Sequence, residues 1–236
     1  MTDAEILKLL ASYRPSETAA RTVRGAKIVL LVGITGAGKN TLKRELMKDD
    51  SFYDFISHTT RQPRSNQGVL ERDGVDYFFI DIHEAARMLQ AGEYIEAKKV
   101  HSNIYGTTIT GLSPSVESGR VAVNDVDVQG VEEYKSLSPD VHAVFVLPPS
   151  YEEWERRRLA RYDGVIDPQD NATRLESAHK ELEFALTKGF FDFVINDDVV
   201  AAANQVRRIV EHTNDDASRA RAESVARQLH EALGTH

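Results

Sequence analysis

The stretch GITGAGKNT, Gly33 to Thr41, has the residue types and the spacing of a phosphate-binding loop. Its glycines let backbone N–H groups surround phosphate oxygens, and Lys39 follows in register to reach the terminal phosphates of a nucleotide. The next position usually carries a hydroxyl that contacts Mg²⁺, and here it is Asn40. The pattern predicts a nucleotide enzyme with an altered metal shell or a nucleotide fold without catalysis. A glycine turn with no ligand is the remaining alternative.

A second basic stretch, SHTTRQPR, runs from Ser57 to Arg64. Pro63 prevents its two arginines, Arg61 and Arg64, from forming one face of a helix. A planar guanidinium group donates two parallel hydrogen bonds, which suits the binding of a phosphate. The stretch is therefore a candidate phosphate site, and a solvated loop is the alternative.

Polar residues scattered between apolar runs form a third candidate group, namely Tyr77, Glu96, Tyr105, Thr107, Asp125 and Asp127. Asp125 and Asp127 alternate with valines in a run that is otherwise apolar, so we expect both on one face at the carboxyl end of a strand. Ligands of α/β proteins bind at that end. A carboxylate pair buried there needs a cation, a donor or a metal as its partner. The alternative is that the two carboxylates cap the next turn.

The fourth candidate is the basic run ERRRLAR, which ends at Arg161. The polar sequence YDGVIDPQDN follows, and then Arg174. This segment has the length and composition of a mobile loop, so phosphate contact from a lid is plausible. The alternative interpretation is that this basic run forms a solvated helix face, as such runs usually do.

Apolar runs alternate with helix-forming sequences along the chain, which predicts an α/β fold built on a parallel sheet. We expect strands at KIVLLVG, YFFI (Tyr77–Ile80), YIEAKKV, Val121–Val128, Val141–Leu147 and FDFVIN. We expect helices at KNTLKRELMK and HEAARMLQAG, and a turn at SNIYG.

The two ends of the chain carry further helical patterns. A capping box at Thr2 to Glu5 opens a short amphipathic helix that Pro15 ends, and a polar linker follows to about Arg24. From Thr213 onwards the pattern predicts a capped helix with Ala222, Val225, Leu229 and Leu233 on one face. Such a helix packs on the body of the protein or on a second subunit.

The composition of the 236 residues limits the classes of function. With 41% hydrophobic residues the chain builds a sizeable core, and the absence of cysteine excludes disulfides and thiolate chemistry. No apolar run approaches the roughly 18 residues of a membrane span, and the acidic start MTDAEILKLL does not resemble a secretory signal. We therefore expect a cytoplasmic protein without membrane contact. The formal charge of −8 argues against broad binding of nucleic acid.

Taken in order, the segments resemble the guanylate kinase family from about Ala26 to Val210. The phosphate loop and SHTTRQPR are followed by DGVDYFFI, GEYIEAKKVHSNIYGT, NDVDVQG, VFVLPPS and VINDD. The resemblance implies an α/β P-loop kinase core with a parallel sheet flanked by helices, an inserted mixed α/β domain that binds GMP, and a lid. The core would comprise residues 25–55, 113–157 and 173–212, the GMP-binding domain 56–112, and the lid 158–172. Residues 1–24 and 213–236 would be helical extensions.

The activity implied by this resemblance is transfer of the γ-phosphoryl group of ATP to GMP, and also to dGMP, with Mg²⁺ as cofactor. GMP would be bound by Ser57, Arg61, Arg64, Tyr77, Glu96, Tyr105, Thr107 and Asp125. ATP would be bound by Gly33, Thr35, Gly36, Ala37, Gly38, Lys39, Asn40 and Thr41, and Asn196 would contact the adenine base. The residues implied in catalysis are Lys39, Arg61, Arg161 and Arg174, with Arg157 or Arg158 as a further lid arginine. Asn40, and Asp127 through a water, would hold the metal.

The chain departs from the family pattern at several positions. Asn40 replaces the usual Ser, and its amide oxygen is a hard ligand that Mg²⁺ accepts. Ala97 stands where a Trp often follows the glutamate, and extra residues lie between Arg64 and Tyr77. The usual arginine-rich lid sequence is missing.

Two other functions compete with the guanylate kinase reading. One is a P-loop kinase with another phosphate acceptor. The combination of SHTTRQPR, Glu96 and Tyr105 argues against this function. The other is a catalytically silent binding module, and such modules lose the loop glycines and lysine that this chain keeps. The expected assembly is a monomer or a homodimer, and the terminal helices are the candidate dimer contact.

Overall fold

The computed structural model describes residues 3–66, 69–100, 102–160 and 168–234. The helices are α1 (Asp3–Ser12), α2 (Glu17–Gly25), α3 (Lys39–Leu46), α4 (Ile82–Gln90), α5 (Ile109–Ser118), α6 (Val128–Leu137), α7 (Tyr151–Ala160), α8 (Pro168–Lys188), α9 (Val199–Val210) and α10 (Asp216–Gly234). The strands are β1 (Lys27–Val32), β2 (Phe52–Asp54), β3 (His58–Thr59), β4 (Ser65–Asn66), β5 (Val69–Leu70), β6 (Phe78–Phe79), β7 (Tyr94–Val100), β8 (Asn103–Thr108), β9 (Val121–Asp125), β10 (His142–Leu147) and β11 (Phe191–Ile195).

The chain divides into two compact units. The first unit comprises Met1–Ile28, Ser51–Asn124 and Glu132–Val141. The second unit comprises Val29–Asp50, Asp125–Val131 and His142–His236.

The second unit is organised by parallel strands. β10 pairs with β1 in the register Val29 to His142, and with β11 in the register Ala143 to Phe191. These strands are almost entirely buried, which explains their continuous apolar sequences. Helices α3 and α9 pack together, and α10 lies against α8, β10 and β11. The predicted α/β architecture, a parallel sheet flanked by helices, is confirmed.

The first unit combines the parallel pair β2 and β9 with a mixed sheet of order β6-β3-β8-β7. Helix α4 begins at the cap residue Asp81, whose carboxylate accepts the N–H groups of His83 and Glu84 at 2.8 Å. Its buried face joins α1, Tyr94 and Ile104 in one hydrophobic cluster. This cluster supports β7 and β8, which carry several of the predicted site residues.

Two predictions in the first unit are wrong. The expected linker before Arg24 is helix α2, which Ser16 caps by accepting the N–H of Ala19 at 3.2 Å. Its buried residues are Ala19, Ala20 and Val23, and such small apolar residues give little contrast against a polar composition. In the expected turn SNIYG, Ser102 is in a turn, but residues 103–106 lie in strand β8, where antiparallel pairing to β7 overrides the turn-forming residues.

Two predictions near the proposed site also need correction. Strand β9 ends at Asp125, so Asp127 does not share its face; instead Asp127 Oδ1 accepts the Gly130 N–H at 2.6 Å and caps α6. The expected lid loop is partly helical, because α8 begins at Pro168 and therefore contains Arg174. Arg161 lies outside the described residues.

The C-terminal helix forms as predicted, with a small shift of its buried face. α10 buries Ala222, Ala226, Leu229 and Leu233, whereas Val225 is only partly buried. Asp215 caps it by accepting the Ser218 N–H at 2.7 Å. Among the described helices, none is long and apolar enough to cross a membrane.

Candidate active site

The loop after β1 has the backbone of a phosphate cradle. Gly36 and Gly38 both have φ of +91°, and Gly38 is the residue before helix α3. A Cβ atom on Gly38 would overlap Asn196 Nδ2, so this position tolerates only glycine without displacement. The Nζ of Lys39 donates a hydrogen bond to the carbonyl of Gly33. The loop therefore leads into the N-terminal end of α3, where backbone N–H groups attract anions.

Side chains from two other elements of the same unit hold the loop in place. Trp154 Nε1 donates to the carbonyl of Thr35 at 2.7 Å. Asn196 Nδ2 donates to the carbonyls of Ala37 at 3.0 Å and Gly38 at 3.2 Å. Asn196 is 5% exposed, so its amide braces the loop from within. A preorganised cradle of this kind binds phosphate without a further ordering cost.

The first turn of α3 presents the residues that follow the loop lysine. The side chains of Asn40 and Thr41 are exposed, and the Asn40 carbonyl accepts Arg44 Nε at 3.2 Å. Further along α3, Lys43 Nζ lies 3.2 Å from Asp125 Oδ1. The amide oxygen of Asn40 and the carboxylate of Asp127 are hard oxygen donors, a chemistry that fits Mg²⁺. Within the described residues no group of three histidine or acidic side chains forms a metal cage.

Glu181 on α8 is an ionisable group of this unit that the sequence patterns do not reveal. Desolvation by burial raises the pKa of its carboxyl to about 7, while the charge of Lys39 lowers that pKa and the charge of Asp127 raises it. The carboxyl is therefore in the electrostatic field of the loop lysine. Several other charged residues lie on α8, so nothing in the sequence distinguishes Glu181 from them.

Of the arginines of α7, Arg157 and Arg158 are turned towards the protein, whereas Arg156 is exposed. Arg157 donates to the carbonyl of Asn196 at 2.9 Å and pairs with Glu153 at 2.7 Å. Arg158 is 2% exposed, lies over the Trp154 ring with Cζ 5.1 Å from its centroid, and donates to Asn171 Oδ1. Arg174 is partly buried on α8. Arg157 and Arg158 are thus part of the packing around the loop.

In the first unit, Arg61 is the centre of a buried polar cluster. Its Nη1 and Nη2 donate to the carboxylate of Glu71 at 2.8 and 3.1 Å, and its Nε donates to the Tyr105 hydroxyl at 3.0 Å. Its Cζ lies 5.3 Å from the ring centroid of Tyr77. The hydrogen bond to Glu71 raises the pKa of Arg61 and lowers that of Glu71, so both stay charged at neutral pH. Arg64 gives only its backbone N–H to Glu71, at 2.7 Å, and its side chain is exposed.

Glu96 and Thr107 form a second polar cluster in the first unit, on paired positions of β7 and β8. Glu96 Oε1 accepts the Thr107 N–H at 3.1 Å and the Thr107 hydroxyl at 3.2 Å. The Thr107 hydroxyl is also hydrogen-bonded to the hydroxyl of Tyr134 on α6, whose pKa burial raises well above its usual value. Because Thr107 Oγ1 donates to Glu96, the Tyr134 hydroxyl donates to Thr107. A buried carboxylate is thereby held in one orientation.

Ser57 lies in the same unit and is held by a neighbouring strand. Asn124, at the end of β9 and 2% exposed, donates from Nδ2 to Ser57 Oγ at 3.1 Å. The structure therefore brings Ser57, Arg61, Tyr77, Glu96, Tyr105 and Thr107 into one unit. The loop residues, Asp125, Arg174 and Asn196 belong to the other unit. Sequence reasoning did not identify Glu71, Tyr134, Trp154 or Glu181.

Comparison with known proteins gives a consistent family. The family model described as guanylate kinase matches residues 25–213. The chain is 31% identical over 198 residues to a guanylate kinase of Clostridioides difficile (strain 630), covering 84% of this chain and 93% of that protein. It is 35% identical over 187 residues to a guanylate kinase of Bdellovibrio bacteriovorus, covering 78% of this chain and 96% of that protein.

A plant relative and a solved structure extend this similarity. Guanylate kinase 1 of Oryza sativa subsp. japonica is 34% identical over 194 residues, which are 81% of this chain. The match spans only about half of the rice protein, 49% of its length. The fold is similar to the crystal structure of guanylate kinase from Anaplasma phagocytophilum, with a TM-score of 0.58 and 26% identity. That similarity covers 82% of this chain and 89% of the other.

Proposed function

This chain belongs to the guanylate kinase family, and we propose that it transfers the γ-phosphoryl group of ATP to GMP, giving ADP and GDP. It is a nucleoside monophosphate kinase by family, and dGMP is the second acceptor in the proposal. The observation that carries the choice of acceptor is the buried Glu96, held by Thr107 in the same unit as the buried Arg61. The carboxylate of Glu96 suits the donor edge of guanine, and the guanidinium group of Arg61 suits a phosphate.

ATP is assigned to the loop of the second unit. Backbone N–H groups between Gly33 and Thr41 surround the phosphates, and Lys39 exchanges its bond to the Gly33 carbonyl for the β- and γ-phosphates. The amide of Asn196 braces this loop, and the proposal also places Asn196 at the ATP base. A positive charge next to the transferred phosphoryl group stabilises the negative charge of the transition state.

Guanine is assigned to Glu96 because its N1–H and N2–H₂ donors are adjacent and one carboxylate accepts both. Adenine lacks the N1–H and has an acceptor there instead, so its binding would set two acceptors against each other at the buried carboxylate, a mismatch worth about 10⁴-fold in related cases. The Thr107 hydroxyl already donates to Glu96, which makes Thr107 an orienting residue for the carboxylate. Ser57 then remains as the hydroxyl donor for the O6 atom of guanine. Asp125 is also one of the proposed GMP-binding residues.

The phosphate of GMP is assigned to Arg61, Arg64, Tyr77 and Tyr105. Arg61 Nε donates to the Tyr105 hydroxyl, so the two side chains are held next to each other before the ligand arrives. The acceptor phosphate is largely dianionic above its second pKa of about 6, so it attacks without a strong general base. Catalysis is then positioning plus charge stabilisation, with Arg174 and Arg161 as arginines supplied in cis.

Guanylate kinases are phosphotransferases that generally need Mg²⁺, and the residues proposed to hold it here are Asn40 and, through a water, Asp127. When bound, the ion neutralises charge on the β- and γ-phosphates. Asp127 accepts the Gly130 N–H with Oδ1 in the cap of α6, which fixes the orientation of its carboxylate. The substitution of Asn40 for a hydroxyl residue is compatible with a metal held chiefly by phosphates and water.

The remaining parts of the proposal concern organisation and location. We assign the core to residues 25–55, 113–157 and 173–212, the GMP-binding domain to 56–112, and the lid to 158–172. The protein is proposed to act in the cytoplasm as a monomer or homodimer, without binding nucleic acid or membranes.

The experiment that tests this function is chromatographic analysis of the products formed from ATP and Mg²⁺ with GMP, dGMP, AMP, UMP or CMP as acceptor. Stoichiometric ADP and GDP from GMP, with dGMP slower and the others near background, is the expected result. Turnover of another phosphorylated acceptor in place of GMP contradicts the proposal. Binding of GMP without any turnover points to a silent binding module.

A further inference from the structure

The segment that precedes the family-matched residues packs on the strand that carries Glu96. Ile6 of α1 is 2% exposed and lies in the hydrophobic cluster formed by α4, Tyr94 and Ile104. Helix α2 buries Ala19, Ala20 and Val23 and contacts β7 and α5. Ile6, Ala19, Ala20 and Val23 therefore belong to the core of the first unit, although the family model begins at residue 25.

The contact between this segment and β7 is specific. The hydroxyl of Tyr13 donates to the backbone carbonyl of Tyr94, and the two rings meet edge to face at 6.4 Å and 84°. The Ser16 N–H donates to the carbonyl of Gly92 at 3.4 Å. Both acceptors lie within four residues of Glu96, on the same stretch of chain.

The backbone between Tyr94 and Glu96 is irregular. The register of β7 and β8 shifts there, from Tyr94 opposite Thr108 to Glu96 opposite Thr107. A bulge of this kind bends the strand and changes the direction in which the following side chain points. The orientation of Glu96 therefore depends on what fixes the backbone just before it.

A cavity lies against β7 beside Tyr13. It has a volume of about 230 Å³ and is lined by Leu10, Tyr13, Ile95, Ala97, Glu133 and Ser136. Ala97 contributes only a methyl group to this lining, and it also packs against the hydrophobic cluster of α4, Tyr94 and Ile104. The hydrogen bond from Tyr13 is a fixed attachment point next to the cavity.

We propose that residues 5–24 position the guanine-binding carboxylate, with Tyr13 as a positioning residue that acts on Glu96 through the Tyr94 carbonyl. This inference rests on the proposed function. It assigns the segment outside the family model a part in acceptor recognition. The ATP loop belongs to the second unit, and KM for ATP therefore serves as the separate readout in the test.

The test compares Tyr13→Phe with wild type and with Tyr53→Phe, a tyrosine of the same unit whose ring lies beside Arg120. The Phe variant keeps the packed ring and removes only the hydroxyl. Dissociation constants for GMP and IMP are measured by calorimetry, together with KM for ATP and the thermal midpoint. IMP lacks the N2 amino group, so it makes one hydrogen bond fewer to Glu96.

The expected result is GMP binding weakened about three- to tenfold in Tyr13→Phe, the range of one hydrogen bond. IMP binding falls less, so the preference for GMP over IMP shrinks, while KM for ATP and the Tyr53→Phe control stay at wild-type values. Unchanged GMP affinity in a folded Tyr13→Phe overturns the inference. An equal loss for GMP, IMP and ATP with a lowered thermal midpoint also overturns it, because Tyr13 would then be structural only. Wild-type protein that binds no GMP refutes the proposed function itself.

Discussion

Arg61 and Glu71 form a bidentate ion pair, with Nη1 to Oε2 at 2.8 Å and Nη2 to Oε1 at 3.1 Å. Only 7% and 11% of the two side chains are exposed, and the same carboxylate accepts the Arg64 N–H. Glu71 therefore fixes both the side chain of one proposed phosphate-binding arginine and the backbone of the other. It also compensates the buried guanidinium charge before an acceptor phosphate arrives.

Replacing Glu71 with Gln removes the charge while keeping the shape of the side chain. We expect KM for GMP to rise about tenfold with a smaller change in kcat, because Arg61 loses its fixed orientation. Steady-state kinetics with GMP varied at saturating ATP measures this. Glu84→Gln, which breaks an exposed ion pair with Arg87 in the same unit, is the control and leaves KM unchanged. Equal KM values in the two variants would argue against a positioning role for Glu71.

The phosphate loop depends on the missing side chain at Gly38. Gly38→Ala places a Cβ against Asn196 Nδ2 and displaces the amide that braces the loop, so we expect KM for ATP to rise at least tenfold. Gly189→Ala is a matched control, because Gly189 also has positive φ but its Cβ meets nothing within 4 Å. Both variants lose roughly 1–2 kcal/mol of stability from the backbone strain. An ATP effect of the same size in both would show that strain, not the contact, is responsible.

The proposed metal shell is tested at Asn40. Its side chain is exposed, so Asn40→Ser changes the free energy of unfolding by less than about 0.5 kcal/mol. We expect the Mg²⁺ concentration for half-maximal activity to fall severalfold, with kcat within about threefold of wild type. Asn40→Ala, which supplies no oxygen, shifts the Mg²⁺ requirement in the opposite direction. Activity that appears only in the Ser variant would mean that the natural chain is catalytically silent.

The buried carboxyl of Glu181 makes stability depend on pH in the protein free of nucleotide and metal. Its pKa rises from 4.5 to about 7 on folding, so between these values the folded protein holds a proton that the unfolded chain has lost. The free energy of unfolding therefore falls as pH rises through this window, by on the order of 3 kcal/mol, and stays lowered above it. Urea unfolding at several pH values is expected to show this slope in wild type and a flatter one in Glu181→Gln.

The control for this pH experiment is Glu176→Gln on the same helix. The hydrogen bond from Lys180 lowers the pKa of Glu176, so its titration lies below the window and the slope stays as in wild type. The same slope in Glu181→Gln as in wild type would exclude Glu181 as its source.

Much of the second unit was predictable because its signals are local. The strands at Lys27–Val32, His142–Leu147 and Phe191–Ile195 are continuous apolar runs, and the loop glycines and lysine are neighbours in the sequence. In the first unit, strand β8 was missed because Gly106 and Asn103 favour turns. Position 106 of this strand requires glycine because a Cβ there would lie 2.6 Å from the Tyr94 ring. Only the fold reveals this contact.

The supporting residues of the site were hidden for a related reason. Glu71 lies in an insertion ten residues after Arg61, and Tyr134 lies 27 residues after Thr107. Glu181 is one of several acidic residues on α8, and its burial is not visible in its sequence neighbours. Asp127 reads as a strand residue from the alternation, yet the chain leaves the strand at Asp125 to start α6. Burial and long-range pairing decide these roles.

The most direct test of this account is the ratio of kcat/KM for GMP to that for AMP, in wild type, Glu96→Gln and Glu93→Gln. We expect a wild-type ratio of about 10⁴ or more, and a loss of GMP turnover of at least 100-fold in Glu96→Gln. Glu93→Gln breaks only the partly exposed ion pair with Arg87 and keeps the wild-type ratio. A Glu96→Gln variant that phosphorylates GMP as well as wild type would contradict the account.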